Sequence, residues 1–179
     1  MGAIEVRRLG KIGYQDALDL QADLVEPRRR GAIGDVLLLL EHPPVITLGV
    51  KTRNTRTNIV ASDAQLSAAG VDVFQSGRGG DVTYHGPGQL VGYPIINLNP
   101  DRRDVHQYVR DLEQALIDAV ATFGIAAERV PGLTGIWTGN DKLAAIGVRI
   151  SRWITSHGFA LNVATDLSHF DLIVPCGIQ

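Results

Sequence analysis

The stretch from Ser76 to Pro94, S-G-R-G-G-D-V-T-Y-H-G-P-G-Q-L-V-G-Y-P, holds six glycines together with one guanidinium (Arg78), one carboxylate (Asp81), one imidazole (His85) and phenols that include Tyr84. Glycine lets backbone come close to a ligand and adopt positive φ, at an entropic cost to folding. Five glycines between Gly77 and Gly88 therefore read as backbone put to use, a loop between strands that grips a substrate. The same composition also suits a pair of tight turns. The second chemical feature is Cys176, the only thiol of the chain, in I-V-P-C-G-I. Pro175 fixes its approach and Gly177 leaves the sulfur unshielded. A free thiol has a pKa of about 8.5 and attacks as thiolate, so a nucleophilic Cys176 needs a cation or a base beside it. Lys142, Lys51, Arg149 and the five histidines are the candidates. Lys142 stands out because it follows a tight turn and opens the run L-A-A-I-G-V-R-I. An apolar setting lowers a lysine pKa and makes the amine a usable base. The blander alternatives are a small buried cysteine and a hairpin lysine directed into water.

Other chemistries are disfavoured by spacing. His42, His85, His106, His157 and His169 form no H-x-x-x-H, and a single cysteine forms no C-x-x-C, so no metal is expected. Cys176 follows every histidine and lacks the local signature of papain-type proteases. No glycine loop ends in Gly-Lys-Ser/Thr, which removes a nucleotide P-loop. The glycine stretch opens no helix, which argues against a dinucleotide fingerprint. Anion binding at Arg78 and the adjoining amides stays open.

The elements that must hold these residues follow from periodicity and punctuation. Residues 3–9 alternate as a strand. Tyr14, Ala17, Leu18, Gln21, Leu24 and Val25 have helical spacing, ending near Pro27 and the arginine run. Residues 35–41 and 45–48 are strands broken by His42-Pro43-Pro44. Ser62 and Gln65 form a capping box for a short helix that stops at Gly70. Residues 71–75 and 90–98 are strands. The clearest helix covers 104–123, with Val105, Tyr108, Val109, Leu112, Ala115, Leu116, Ala119, Val120 and Phe123 on one face. Residues 136–150 form a hairpin turning at Gly139-Asn140-Asp141, and 153–163 supplies one or two more strands. Strands come in runs and outnumber helices, so the fold class is α+β, with helices packed on mixed β-sheets.

At 179 residues the chain suits one domain with a substantial core. A net charge of −2 carries no global signal for nucleic acid. Basic residues do cluster at Arg28-Arg29-Arg30, where they could meet an acidic partner protein. One cysteine excludes an intrachain disulfide and fits a reducing, cytoplasmic location. No apolar run is long enough to span a bilayer, and the first residues show no signal-peptide core.

Four segments taken together resemble one family. They are R-G-G-D-V-T-Y-H-G-P-G-Q-L from Arg78, D-K-L-A-A-I-G-V-R-I from Asp141, S-H-G-F-A-L-N-V from Ser156 and V-P-C-G-I from Val174. In order and spacing they are similar to the octanoyl-acyl-carrier-protein:protein transferases, over about residues 42–179. The resemblance implies a single catalytic domain, residues 1–179, with the α+β fold of the biotin and lipoate protein ligase catalytic domains. It also implies a reaction: octanoyl moves from acyl carrier protein to a lysine of lipoyl domains, those of 2-oxoacid dehydrogenase E2 subunits and the glycine cleavage H protein. Carried over by motif, Cys176 is the acyl-accepting nucleophile and Lys142 its partner. Arg78, Gly79, Gly80, Asp81, Val82, Thr83, Tyr84 and His85 line the substrate site. So do Ala145, Ile146 and Gly147, and Gly158, Phe159 and Ala160, whose small residues admit a hydrocarbon tail that Ile146 and Phe159 can wall. A thioester is already activated, so neither ATP nor metal is required. Two departures stand out. Family members usually continue well beyond the V-P-C-G-I segment, and Asp141 occupies a position where many relatives have a basic or neutral residue. There it could pair with Lys142 and raise its pKa. The competing functions on the same fold are an ATP-dependent lipoate- or biotin-type ligase and a non-catalytic acyl-binding protein.

Overall fold

The computed structural model describes residues 3–52 and 55–175. Nine strands form β1 (Ile4–Lys11), β2 (Asp35–Glu41), β3 (Val45–Leu48), β4 (Asp72–Gln75), β5 (Val82–His85), β6 (Gln89–Ile95), β7 (Ile136–Thr138), β8 (Asp141–Ser151) and β9 (Ile154–Asn162). Three α-helices join them: α1 (Tyr14–Arg29), α2 (Asp63–Ala68) and α3 (Val105–Ala121). The strands make two mixed sheets, a larger one in the order β1-β2-β6-β9-β8-β7 and a smaller one in the order β4-β3-β5. Only β1 with β2 and β3 with β4 run parallel.

Each face of the larger sheet carries one helix. Strand alternation turns Val36, Leu38 and Leu40 of β2 and Val91, Tyr93 and Ile95 of β6 toward α1, where they pack with Ala17 and Leu24. Ile136 and Ala144 turn the other way and pack with Leu116 and Val120 of α3. The smaller sheet has its own core: Ile46, Leu48, Val82 and Tyr84 pack with Leu66 of α2 and with Ile173. A 3₁₀ helix, Leu167–Leu172, brings the chain back over this core, with Phe170 and Leu172 packed against it.

The local signals explain most element ends. Ser62 caps α2 in the expected box, its hydroxyl accepting from the Gln65 amide, and Gly70 follows at φ +64°. Asp104 caps α3 by accepting from the Gln107 amide. Some readings shift. The chain from Ser76 is not one long loop: 76–81 is loop, Val82–His85 is strand β5, paired to β3, and a turn at 86–88 leads into β6. α1 ends at Arg29, within the arginine run as expected, with Pro27 inside its last turn. On α3 the apolar face overruns the sheet, leaving Phe123 83% exposed. The same stripe contains Glu113, which is fully buried.

Candidate active site

The short loop 76–81 crosses from the small sheet to the large one. Two anchors hold its start. The Tyr14 hydroxyl donates to Ser76 Oγ (3.0 Å), which also accepts the Arg78 amide (3.2 Å). The Arg78 side chain turns back under the loop: Nη2 donates to Thr47 O (2.7 Å) and Oγ1 (2.8 Å), and Nε to Oγ1 (3.1 Å). The Gly79 amide then donates to Val148 O on β8 (2.9 Å). This crossing needs glycines where backbones meet. A Cβ at Gly147 would lie 3.0 Å from Gly79 O and 3.2 Å from Arg78 Cδ. One at Gly49 would collide with the Gly80 carbonyl.

Beneath the loop, β8 and β9 align the two apolar triplets in register: Ala145 with Ala160, Ile146 with Phe159, and Gly147 with Gly158. A cleft runs between them and the loop. Arg78, Gly79, Gly80, Thr83, His85, Ala145, Ile146, Gly147, Gly158, Phe159 and Ala160 all line it. Ile146 and Phe159 also pack with the α3 cluster, and Phe159 sits against Gly92, where a Cβ would strike its ring. The floor of the cleft is therefore small-residue backbone with an apolar rim, a surface suited to a hydrocarbon chain.

Alternation along β5 divides the remaining motif residues. Thr83 and His85 face the cleft, whereas Val82 and Tyr84 point into the small-sheet core. Asp81 lies outside the cleft lining. Its Oδ2 accepts from Asn58 Nδ2 (2.6 Å) and its Oδ1 from the Val82 amide (2.6 Å).

Lys142 is turned by a β-bulge. Ile136 pairs with Ala144, but Trp137 pairs with Lys142, so Leu143 is the extra residue. Directly paired residues share a face and successive residues alternate. Lys142 and Trp137 thus lie on the face opposite Ile136 and Ala144, the face of Ala145 and Gly147. Bulges re-aim side chains in this way, often beside active sites. The Lys142 Nζ sits 4.9 Å from the centre of the Trp137 ring, within the range of a cation–π contact. No ion pair joins Asp141 to Lys142 among the described residues. Cys176 lies outside the described residues.

Three further residues line the cleft that the sequence pattern does not assign to it: Tyr14, Tyr93 and His157, the last inside the S-H-G-F-A-L-N-V segment. His157 pairs with Val148, which faces α3. Its ring nonetheless lies 6.0 Å from Tyr93 on the α1 side, and its φ of +54° marks the backbone departure that turns it. The Gln21 side chain accepts the His157 amide (2.7 Å). His42, also buried, donates from Nδ1 to Ile12 O (2.9 Å), so its Nε2 accepts from the Tyr93 hydroxyl (2.8 Å). Gln89 Nε2 donates to Tyr84 O (3.3 Å) and Asn162 Oδ1 (2.9 Å), which leaves its Oε1 to accept from His85 Nδ1 (2.7 Å). His85 therefore keeps Nε2 as a lone-pair acceptor. Burial pulls its pKa down to about 3, with the neighbouring His42 adding to the effect. Burial, then the Arg78 and Arg149 charges, bring His157 to about 4. The cleft thus presents neutral imidazoles at neutral pH.

The basic run near the end of α1 is engaged locally: Arg28 pairs with Asp35 (2.6 Å) and Arg29 with Glu26 (2.6 Å). No helix among the described residues is long and apolar enough to cross a membrane.

Comparison with known proteins gives the family and agrees with the fold. Residues 13–179 match the lipoyl protein ligase A/B catalytic domain, a longer span than the four motifs cover. The octanoyltransferase of Myxococcus xanthus is 57% identical, the alignment taking in 100% of this chain and 51% of that protein. That of Solibacter usitatus is 59% identical over 97% of this chain and 78% of its own length. The chain thus spans about half of the first relative and over three quarters of the second. Among solved structures, lipoate-protein ligase A bound with ATP superposes with a TM-score of 0.75 at 17% identity, covering 94% of this chain and 71% of that one. A putative lipoate protein ligase from T. acidophilum gives 0.72 at 15% identity, over 94% and 72%. At such identities the likeness is one of fold. The chain belongs to the octanoyltransferase family, within the lipoyl protein ligase A/B catalytic domain fold.

Proposed function

We propose that this chain forms a single catalytic domain that transfers octanoyl from acyl carrier protein to a lysine of a lipoyl domain through an acyl-thioester on Cys176. The observation that carries the reading is the apolar cleft under the glycine loop; Lys142 does not line it, but the bulge at Leu143 turns it to the same side of the sheet as Ala145 and Gly147. The donor is a thioester, so the acyl group arrives activated and the reaction consumes no nucleotide. Cys176 thiolate attacks the acyl carbonyl, the carbonyl–sulfur bond to the carrier breaks, and the carrier thiolate leaves to take up a proton. The acceptor amine then attacks the acyl-cysteine, loses a proton, and Cys176 leaves as thiolate. Lys142 as ammonium favours that thiolate, by about 1.4 kcal/mol for each pKa unit of depression. As free amine it takes the acceptor's proton. The acceptors are lipoyl domains of E2 subunits and the glycine cleavage H protein, in the cytoplasm.

The connection to Cys176 supports the reading. The Val174 amide donates to Asn58 O (2.8 Å), and Asn58 is held by Asp81, next to Gly80 at the cleft. An adenylate-forming ligase would release AMP from ATP and free octanoate and would need no thiol. The test is intact mass after incubation with octanoyl-acyl carrier protein. A hydroxylamine-labile octanoyl adduct, absent in Cys176→Ala, is expected. No adduct, or one that survives Cys176→Ala, sinks the proposal.

A further inference from the structure

The cleft continues into a second cavity under the same helix. α1 borders the cleft at Tyr14, and further along it borders a groove of about 450 Å³ through Leu18, Gln21, Ala22 and Val25. From Leu18 to Val25 is about 10 Å of helix. His157 lines both cavities, and Gly77 of the groove adjoins Arg78 of the cleft. Between the two, the sheet face changes character. Under the cleft, β8 and β9 present Ala145 with Ala160 and Gly147 with Gly158. The next pairs on that face are Arg149 with Ser156 and Ser151 with Ile154, and all four line the groove. Two residues along each strand thus take the floor from small apolar side chains to a guanidinium and hydroxyls.

The junction is rich in hydrogen-bond donors. Gln21 is 3% exposed, and its Oε1 accepts the His157 amide (2.7 Å). That bond fixes the orientation of the side-chain amide, since the reverse would set donor against donor. Its Nε2 is then a buried donor with no partner among the described residues, a costly arrangement unless a ligand or water meets it. Arg149 has no ion pair among the described residues. Its Nη1 lies over the start of the glycine loop, 3.0 Å from where a Cβ on Gly77 would stand. The groove's two carboxylates are engaged: Asp19 accepts from Gln15 (2.9 Å), and Glu26 pairs with Arg29 (2.6 Å). Leu18, Ala22 and Val25 leave one wall apolar.

A ligand that matches this track has a hydrocarbon end, then a carbonyl acceptor, then a polar chain with some apolar bulk. An acyl group on a pantetheine thiol has that order: hydrocarbon, thioester, two methylenes, an amide, a second amide and a dimethyl carbon. A lysine acceptor brings four methylenes next to its amine, which donors at the junction do not suit. We propose that the groove is the subsite for the pantetheine arm of the acyl donor, with Gln21 Nε2 donating to the carbonyl of the amide nearest the thioester. The inference rests on the donor being an acyl thioester of a carrier, as proposed above, but its test requires no transfer.

The probes are two inert thioethers, S-octyl-pantetheine and octyl 2-hydroxyethyl sulfide, the second lacking the amides. Their Kd values are measured by calorimetry on the wild-type protein and on two variants. The wild type is expected to bind S-octyl-pantetheine about tenfold more tightly, the worth of one well-made hydrogen bond to a buried donor. Gln21→Glu keeps an oxygen for the His157 amide and replaces the donor by an acceptor, so the two affinities should converge to within about twofold. Ala22→Phe, at an exposed helix position, fills the groove from the α1 side and should do the same. If Gln21→Glu does not fold, Ala22→Phe decides. Equal affinities in the wild type overturn the proposal, because Gln21 Nε2 then meets only water. So does a tenfold preference that survives both variants, or variants that weaken Nε-octanoyl-lysine amide instead, which would give the groove to the acceptor. Failure of the wild type to bind either thioether also overturns it. If the preference and its loss are seen but the carrier deposits no octanoyl on the protein, the transferase reading fails while the arm subsite stands.

Discussion

Every histidine of the cleft is held in its neutral form by burial, and this has a consequence for stability. His85 sits at about 3 and His157 at about 4, against about 6.5 in an unfolded chain. Between those values the unfolded state binds protons that the folded state refuses. Stability is then full above pH 6.5 and declines as the pH falls toward 4. His85→Gln removes one such site. Its urea midpoint should drop less between pH 6.5 and 4.5 than that of the wild type, the carboxylates common to both proteins cancelling in the comparison. Equal drops would show that His85 is not the neutral acceptor its bond to Gln89 implies. Little of this cluster was legible beforehand. Arg78, Gly79 and His85 announced themselves by their glycine-rich setting, whereas Tyr14 and Tyr93 read as ordinary apolar positions of a helix and a strand. His157 stood inside the S-H-G-F-A-L-N-V segment, but strand alternation put it on the other face; only its positive φ turns it to the cleft, and no side-chain pattern encodes that.

At the scale of elements, α3 both confirms and corrects its pattern. The stripe Val109, Leu116, Val120 has Glu113 at helical spacing within it, and a carboxylate in an apolar stripe signals a buried partner. Glu113 Oε2 accepts from Arg110 (2.6 Å) and Arg129 (3.1 Å), and Oε1 from the Gly135 amide (3.0 Å). It fastens α3 to the chain entering β7, and hence to Trp137, the partner of Lys142. Glu113→Ala should lower unfolding free energy in urea by about 1–3 kcal/mol, the cost of orphaning a buried amide, since both arginines can turn to water. A loss below about 0.5 kcal/mol would mean that the Gly135 amide finds water instead. The strands and helices themselves were largely readable, because a period of two, a capping box and a glycine stop act locally. The β8–β9 hairpin hid its turn: Arg152 and Trp153 take φ of +49° and +64°, positions where Asn and Gly are the usual markers. The bulge at Leu143 was equally silent, since it exists only in the register of two strands.

At the scale of the molecule, the cleft belongs to neither sheet alone. The small sheet supplies the loop, Thr83 and His85; the large one supplies the paired triplets. What keeps them at working distance is the contact of loop 76–81 with β8, made at Gly147. A methyl there must push on Gly79 O at 3.0 Å and Arg78 Cδ at 3.2 Å, and both are tied down, Arg78 by Thr47 and the Gly79 amide by Val148 O. Gly147→Ala should therefore lift the loop from the strand rather than be absorbed. Overpacking of this kind costs about 1–3 kcal/mol, and a shift of under an ångström at the acyl site slows adduct formation by about ten- to a hundredfold. Gly34→Ala is the control: a Cβ there meets nothing within 4 Å, and neither stability nor rate should change appreciably. If Gly147→Ala forms the octanoyl adduct at the wild-type rate, the seating of the loop on β8 does not govern the cleft, and the two sheets position their halves independently.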